Sequence, residues 1–298
     1  MAIPFVREME FEYGVVDRLS PLIRRVIARN PSYFTYYGTG TYIVGNGDVA
    51  VIDPGPDLAS HIDALERALD GESVTHILVT HTHRDHSPGA RLLQHRVGGM
   101  THGFGPHGSG RPEVGGEVEE GADHDFRPDI ALRDGDSIVG TGWTLQTVHT
   151  PGHCSNHLCY RLSEEKALFC GDHVMGWSTT VVSPPDGDMR AYMRSLHKLL
   201  DADDDVYWPT HGPAIRDPRN FVRAYIAHRQ EREAQIVDCI RNGAGTIDRM
   251  VKLMYAGVDE RLHPAAARSV LSHLIHLVET ERVVTDGPPS LQAAYALP

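Results

Sequence analysis

Several classes of protein are excluded by what this 298-residue sequence has little of. Its four cysteines (Cys154, Cys159, Cys170 and Cys239) show no CxxC spacing, which argues against a disulfide framework or a cysteine zinc ribbon. No uncharged apolar run approaches the ~20 residues that a membrane-spanning helix needs. Residues 1–14 contain no apolar segment of signal-peptide type. We therefore expect a cytoplasmic protein with reduced thiols and no membrane contact.

Positive charge is also scarce. Asp and Glu number 40 against 28 Lys and Arg, so the formal net charge is −12. Such a chain exerts no general attraction on nucleic-acid phosphates or anionic membranes. Histidine, in contrast, is abundant, with 19 residues, and imidazole is a common ligand of transition metals.

The densest histidine motif is HTHRDH, residues 81–86, which follows the apolar stretch VTHILVT. In an extended segment residues i and i+2 point to the same side, so His81 and His83 can bind one ion together. Where the chain then turns into a helix, Asp85 and His86 can reach a second position. Three histidines and an aspartate within six residues rarely occur by chance, so the motif predicts a metal site.

Three further turns supply metal-binding side chains, and each follows a predicted strand. HTPGH contributes His153, CGDH contributes Asp172 and PTHGP contributes His211. All of these side chains can therefore meet at one edge of a sheet. Cys154, directly after His153, is best interpreted as a small buried apolar residue, with a metal ligand as the alternative.

In this order and spacing, HTHRDH, THTPGH, CGDH and PTHGP resemble the metallo-β-lactamase superfamily, an α+β fold with a four-layer αββα sandwich. The resemblance implies two divalent metal ions, most simply zinc, with iron or manganese compatible. It implies that one ion binds three histidines, that the other binds a carboxylate and two histidines, and that one aspartate bridges them. By this resemblance, His81, His83 and His153 would bind the first ion, and Asp85, His86 and His211 would bind the second. Asp172 would bridge the two ions.

The same resemblance assigns other roles near the metals. Asp53, in VIDPG, matches an aspartate that orients a ligand imidazole. Three roles remain open for His157: orienting a metal ligand, binding the substrate, or a structural role. The chemistry expected is hydrolysis of an ester, thioester or phosphodiester by a hydroxide bridging the two ions. Asp172 would couple the ions, and Asp85 would steer the nucleophile or carry its proton.

The C-terminal part has the order of elements of a winged helix. Helices are predicted over 221–241, 246–255 and 264–279, and a short strand over 282–284. Together with YMRSL, HRQER and LHPAAARSVLSHLIHL, this order resembles the β-lactamase-like endoribonucleases that carry a C-terminal winged helix. We predict a catalytic domain over residues 1–218, and the long helix with the winged helix over 219–298.

Three functions compete at this point: an endoribonuclease acting on single-stranded RNA, a glyoxalase II-like thioesterase or lactonase, and a winged-helix binding protein with a vestigial metal site. Residues 246–286 contain five Lys or Arg against six Asp or Glu, which argues against DNA binding. Packing against the catalytic domain or a partner subunit is the better expectation for the winged helix, and a homo-oligomer is left open.

Residues 98–129 have no periodicity of either kind and are rich in glycine, histidine and acidic residues. We predict a long surface loop there and consider it a candidate lid. Its histidines (His102, His107 and His124) are interpreted as loop residues rather than metal ligands.

Overall fold

The computed structural model describes residues 2–110 and 121–298, and within them the chain forms fourteen strands and six α-helices. The strands are Val16–Arg18 (β1), Ile23–Ile27 (β2), Gly40–Asn46 (β3), Asp48–Ile52 (β4), Ser73–Leu78 (β5), Met100–Gly103 (β6), Ile130–Ala131 (β7), Ser137–Gly140 (β8), Trp143–His149 (β9), Leu158–Leu162 (β10), Ala167–Gly171 (β11), Val206–Pro209 (β12), Val284–Thr285 (β13) and Tyr295–Ala296 (β14). The helices are Ala59–Ala68 (α1), Gly89–Val97 (α2), Met189–Leu200 (α3), Pro218–Arg241 (α4), Ile247–Met254 (α5) and His263–Glu279 (α6).

Two large sheets form the centre of the molecule. The first has seven strands in the order β1 to β7, antiparallel up to β4 and parallel from β4 to β7. The second has the order β12-β11-β10-β9-β8, in which β11 and β12 are parallel and the other pairs antiparallel. A parallel neighbour requires a crossover connection, and α1, α2 and α3 lie in three of these connections.

The alternating faces of the strands place three apolar cores between four layers. Tyr42 and Ile52 of the first sheet pack against Tyr160 and Phe169 of the second. The outer face of the first sheet packs on α1 and α2, and the outer face of the second packs on α3 and α4. The predicted αββα sandwich is therefore confirmed.

Strand β2 of the first sheet carries no clear signal in its sequence. All five of its residues are buried, although two of them are arginines. Their charges are compensated, since Arg24 lies 2.7 Å from Glu72 and Arg25 lies 3.0 Å from Asp17. Paired arginines in a buried strand break the apolar run by which such a strand is normally identified.

The prediction of one long loop over residues 98–129 is wrong at its start. Strand β6 lies within it and pairs in parallel with β5. His102 is a buried residue of that strand, 5% exposed, so it is not a loop residue. The short strand was hidden because glycine and histidine interrupt its sequence. Residues 111–120, which the predicted lid includes, lie outside the described residues.

The C-terminal part is a winged helix formed by α5, α6 and the β13–β14 hairpin, as predicted. Its core includes Val270 and Leu274 of α6. Helix α4 contributes Phe221 and Tyr225 to the core of the second sheet and Ile236 to the winged-helix core, so it connects the two. The domain boundary at 218–219 coincides with the start of α4 and stays a prediction. No helix within residues 2–110 and 121–298 is long and apolar enough to cross a membrane.

Candidate metal centre

The predicted metal-binding residues all follow the carboxyl ends of strands. HTHRDH follows β5, His153 follows β9, Asp172 follows β11 and His211 follows β12. Backbone hydrogen bonds hold these turns against one another: Leu158 N donates to Thr80 O at 2.7 Å, and Thr210 N donates to Gly171 O at 3.2 Å. The two sheets thus bring residues far apart in sequence to one place.

Three imidazoles form the first half of the site, which we call the imidazole cluster. Nε2 of His81 lies 3.0 Å from Nδ1 of His83, and Nε2 of His153 lies 3.1 Å from the same atom. His81 and His153 are buried, and His83 is partly exposed. With Cys154, these residues form a group whose ligand atoms all lie within 4.8 Å of one another.

Asp85, His86 and His211 form the second half, which we call the carboxylate cluster. Nε2 of His211 lies 3.1 Å from Oδ2 of Asp85, and Nε2 of His86 lies 3.6 Å from the same oxygen. These three ligand atoms also lie within 4.8 Å of one another. One ion can therefore reach all three side chains.

Asp172 lies between the two clusters. Its carboxylate oxygens are 3.6 Å from Nε2 of His86, 3.5 Å from Nε2 of His211 and 3.8 Å from Nε2 of His153. This position allows one carboxylate to contact ions in both clusters.

The backbone at Gly171 and the side chain of His157 determine where Asp172 points. Gly171 has φ +52°, and a Cβ there would lie 2.5 Å from Nε2 of His157, so a larger residue does not fit. The Asp172 backbone N–H donates to that same nitrogen at 3.2 Å, and the other ring nitrogen of His157 contacts the Thr150 hydroxyl at 2.9 Å. His157 is fully buried, so it lies in the protein interior, where it contacts the backbone of Asp172.

The ring nitrogens that face away from the clusters contact oxygen atoms. Nδ1 of His153 lies 2.6 Å from Val181 O, Nδ1 of His211 lies 3.1 Å from Gly38 O, and Nδ1 of His81 lies 3.0 Å from the Thr80 hydroxyl. A carbonyl oxygen can only accept, so His153 and His211 carry a proton on Nδ1. In the neutral ring, the Nε2 lone pair then faces the cluster, as metal binding requires.

Asp53, to which the resemblance assigned the orientation of a ligand imidazole, lies on one side of the site. It follows β4, is fully buried, and has a positive φ of 50°. Its carboxylate accepts hydrogen bonds from Thr80 N and Oγ1, both at 2.8 Å, and from Thr210 Oγ1 at 3.0 Å. It also lies 2.9 Å from Nδ1 of His86, which directs Nε2 of that ring toward Asp85 and Asp172.

The electrostatics of the clusters suit a bound cation. Burial lowers the pKa of His81, and the neighbouring imidazoles lower it further, so this ring stays neutral. Burial alone would raise the pKa of Asp85 and Asp172, but His86 and His211 outweigh it and hold both well below the ordinary value. Against the effect of burial, the two carboxylates raise the pKa of His211 to about 10. The two carboxylates thus favour positive charge in this cluster. A metal ion can supply that charge in place of protons.

A cavity of about 650 Å³ opens over both clusters, and His83, Asp85, His153 and Asp172 form its floor. Its walls come from five parts of the chain, including the start of α6 in the winged helix. The other lining residues are Ser32, Phe34, Thr35, Arg84, Gly121, Met175, Val181, Ser183, Pro264, Ala265 and Arg268.

The family pattern of the metallo-beta-lactamase superfamily matches residues 35–211, and that of the beta-lactamase associated winged helix domain matches residues 246–288. The chain belongs to the metallo-beta-lactamase superfamily. Solved structures of a metallo-beta-lactamase family protein from Thermus thermophilus (TM-score 0.74, 23% identity, 94% of this chain and 100% of that one) and a beta-lactamase domain protein from Burkholderia ambifaria (TM-score 0.77, 21% identity, 98% and 96%) share its fold.

Curated relatives are similar over most of the chain. The Lactamase-like protein adaB of Aspergillus niger is 30% identical over 95% of this chain and 88% of its own length. The Atrochrysone carboxyl ACP thioesterase AgnL7 of Paecilomyces divaricatus is 30% identical over 87% and 80%. The Beta-lactamase-like protein 2 homolog of Caenorhabditis elegans is 31% identical over 76% and 73%.

Sequence reasoning missed the cavity walls and most of the groups that hold the ligand side chains in place. Thr80 and Thr210 each precede a motif histidine, and this position was a usable signal. Phe34 and Arg268 carried no such signal, because nothing in the sequence links them to HTHRDH. Cys154, expected to be a buried apolar residue with metal ligation as the alternative, is fully buried, with Sγ 3.2 Å from Nε2 of His83.

Proposed function

We propose that this protein is a metal-dependent hydrolase of acyl thioesters that uses two divalent ions, most simply zinc. Superfamily membership supports a hydrolase, and the two clusters support a pair of ions. His81, His83 and His153 would hold the first ion, and Asp85, His86 and His211 the second, while the Asp172 carboxylate would contact both.

The fit of these residues to metal ions rests on their unsatisfied inner atoms. Nε2 of His86 and Oδ1 of Asp172 are buried, and neither has a hydrogen-bond partner among the residues described. Unpaired buried polar atoms are costly, and a cation between them would satisfy both. Bound here, the ions would supply a water-derived nucleophile at neutral pH and polarise the scissile carbonyl.

The protein's own groups would position the reactants. Asp85 keeps 28% of its side chain exposed while contacting His211, so one carboxylate oxygen can orient the attacking group and accept its proton. The Asp53 carboxylate holds His86 in one orientation throughout. Hydrolysis would then break the thioester C–S bond and release a carboxylic acid and a thiol.

The observation that carries the substrate assignment is the apolar wall of the cavity. Phe34, Met175, Val181, Pro264 and Ala265 lie around the clusters, and such a surface suits an acyl group better than a polyanionic RNA strand. Arg84 and Arg268 add positive charge to the same cavity, which suits a negatively charged carrier of the acyl group. Among the relatives, those named acyl carrier protein (ACP) thioesterases support the same choice.

The test compares substrates on the zinc-loaded protein. We expect hydrolysis of an acyl-CoA and of an S-acyl N-acetylcysteamine, followed by release of free thiol, and no cleavage of a single-stranded RNA oligonucleotide. Asp172→Ala should lose most of the thioesterase activity and remain folded, whereas exposed Asp57→Ala should keep it. Cleavage of RNA with no thioester hydrolysis would assign the chain to the endoribonucleases instead.

A further inference from the structure

A second cavity, of about 240 Å³, lies apart from the metal clusters between the N-terminal segment, α4 and the winged helix. Its lining includes Arg7, His228, Arg229 and Arg232 and, among the residues that the structure describes, no carboxylate. In a chain with a net charge of −12, three arginines around one small cavity form a local reversal of charge.

Unlike several other arginines of the protein, the arginines of this cavity have no acidic partner among the described residues. Arg24, Arg96 and Arg161, for example, each form an ion pair with Asp or Glu. In the described part of the chain, no carboxylate lies within ion-pair distance of Arg7, Arg229 or Arg232. Guanidinium groups remain charged at all ordinary pH values, so an anion in the cavity would relieve their mutual repulsion.

Two of these arginines are held in fixed positions by the fold. Arg229 is 4% exposed; one of its terminal nitrogens donates to Thr180 O, and its guanidinium lies 5.1 Å from the Tyr192 ring centroid. Arg232 lies 5.1 Å from the ring centroid of Tyr255 and donates to Gln235 at 2.9 Å. Cation–π contacts of this kind hold a guanidinium in place without neutralising it.

Two of the lining residues have unsatisfied donor atoms. Nε of Arg229 and Nε1 of Trp177 are buried, and neither has a hydrogen-bond partner among the described residues. The hydroxyl-bearing residues Ser178, Thr179 and Ser269 also line the cavity. Arginines and hydroxyls together match a phosphate group, which offers several acceptor oxygens and more than one negative charge.

The pKa of His228 reflects the same positive electrostatic potential. Burial lowers its pKa to about 4, and Arg229 and Arg232 contribute to the decrease. A neutral ring at this position leaves the arginines as the only charged groups among the described lining residues.

From these observations we infer that the cavity formed around Arg7, Arg229 and Arg232 is a binding site for a phosphate group. The site is separate from the metal clusters, but neighbouring residues line the two cavities. The segment 175–183 provides Met175, Val181 and Ser183 to the main cavity and Trp177, Ser178 and Thr179 to this one, and α6 provides Arg268 to the first and Ser269 to the second. The phosphate can therefore belong to a substrate carrier such as phosphopantetheine, or be free phosphate.

Calorimetric titration of the zinc-loaded full-length protein with inorganic phosphate and with 4′-phosphopantetheine tests the inference. We expect binding to the wild type and to Asp172→Ala, which separates this site from the metal centre. Arg232→Gln should weaken binding at least tenfold, whereas Arg223→Gln, an exposed arginine of α4 outside the cavity, should leave it unchanged. Arg7→Gln, at an exposed position, provides a second variant if Arg232→Gln unfolds at a lower temperature.

Absence of binding to the wild type, or equal affinity in the arginine variants, would overturn the site. Phosphopantetheine binding more than tenfold tighter than phosphate would identify the carrier as the source, and equal affinities would identify free phosphate; either result supports the site. Because binding is measured without catalysis, failure of the thioesterase proposal would leave this test intact. If both hold and the carrier is the source, Arg232→Gln should raise KM for an acyl-CoA but not for S-acyl N-acetylcysteamine.

Discussion

At the scale of single residues, Asp53 holds one metal-binding imidazole in place. Asp53→Asn replaces a carboxylate that contacts His86, Thr80 and Thr210, so His86 should lose its fixed orientation. We expect metal affinity to fall by about 10–100-fold, the usual effect of removing such a partner. Competition with a chromophoric chelator measures the affinity, and exposed Asp57→Asn is the control. Equal affinities in Asp53→Asn and wild type would contradict this role.

His61 gives a prediction about pH. The residue is 2% exposed, its ring contacts the Thr41 hydroxyl at 2.7 Å, and burial lowers its pKa to about 4. Because its pKa in the unfolded chain is ~6.5, unfolding takes up a proton below that pH, and stability falls as pH decreases toward 4. Between pH 7.5 and pH 5, protonation of this residue in the unfolded chain should lower the free energy of unfolding by about 2 kcal/mol.

Denaturant unfolding of wild type and His61→Gln at both pH values measures that cost. Glutamine can keep a hydrogen bond to Thr41 but does not titrate, so the variant should lose about 2 kcal/mol less than wild type on acidification. His95→Gln removes an exposed imidazole as a control and should follow the wild type. Parallel losses in wild type and His61→Gln would rule out the assigned contribution.

The spacing of histidines and aspartates was enough to indicate which side chains come together. Each motif residue follows a strand, although the expected single sheet edge was wrong: β5 belongs to the first sheet and β9, β11 and β12 to the second, and the edges of the two packed sheets meet at the site. The groups that hold those side chains in place were far harder to predict. Gly38 and Val181 act through backbone carbonyls that contact His211 and His153, respectively. Because every residue has a backbone carbonyl, the residue type does not indicate such a contact.

At the scale of elements, long periodic segments were predicted well and short buried strands poorly. Helix α6 spans His263–Glu279, close to the predicted 264–279, because apolar residues recur along one of its faces. Strand β6 has only four residues, and its burial depends on its neighbours in the sheet rather than on its own sequence. Tertiary context of this kind is absent from a local pattern.

The apolar face of α6 supports a prediction about the winged helix. Leu274 is fully buried in the core that α6 forms with α4, α5 and the C-terminal hairpin. Leu274→Ala should reduce the free energy of unfolding by about 2–5 kcal/mol, through lost burial and the cavity it leaves. Leu253→Ala, 62% exposed on α5, should change it by less than about 0.5 kcal/mol. Urea unfolding followed by circular dichroism distinguishes the two, and equal effects would refute the packing described.

At the scale of the whole molecule, the winged helix takes part in the main cavity. Its charge balance had suggested packing rather than DNA binding, and the structure shows α6 lining the cavity over the metal clusters with Pro264, Ala265 and Arg268. This arrangement could not be predicted, because it depends on how α4 joins two cores. The family and the ligand motifs were predictable; the shape of the cavity, and with it the substrate, was not.

The proposed thioester hydrolysis should depend on ions in both clusters. The most direct test measures the rate of acyl-CoA hydrolysis by chelator-stripped protein as zinc is added in known molar equivalents. We expect no activity without zinc and a maximal rate at two equivalents per chain. Full activity of the stripped protein, or a rate that does not respond to zinc, would contradict it.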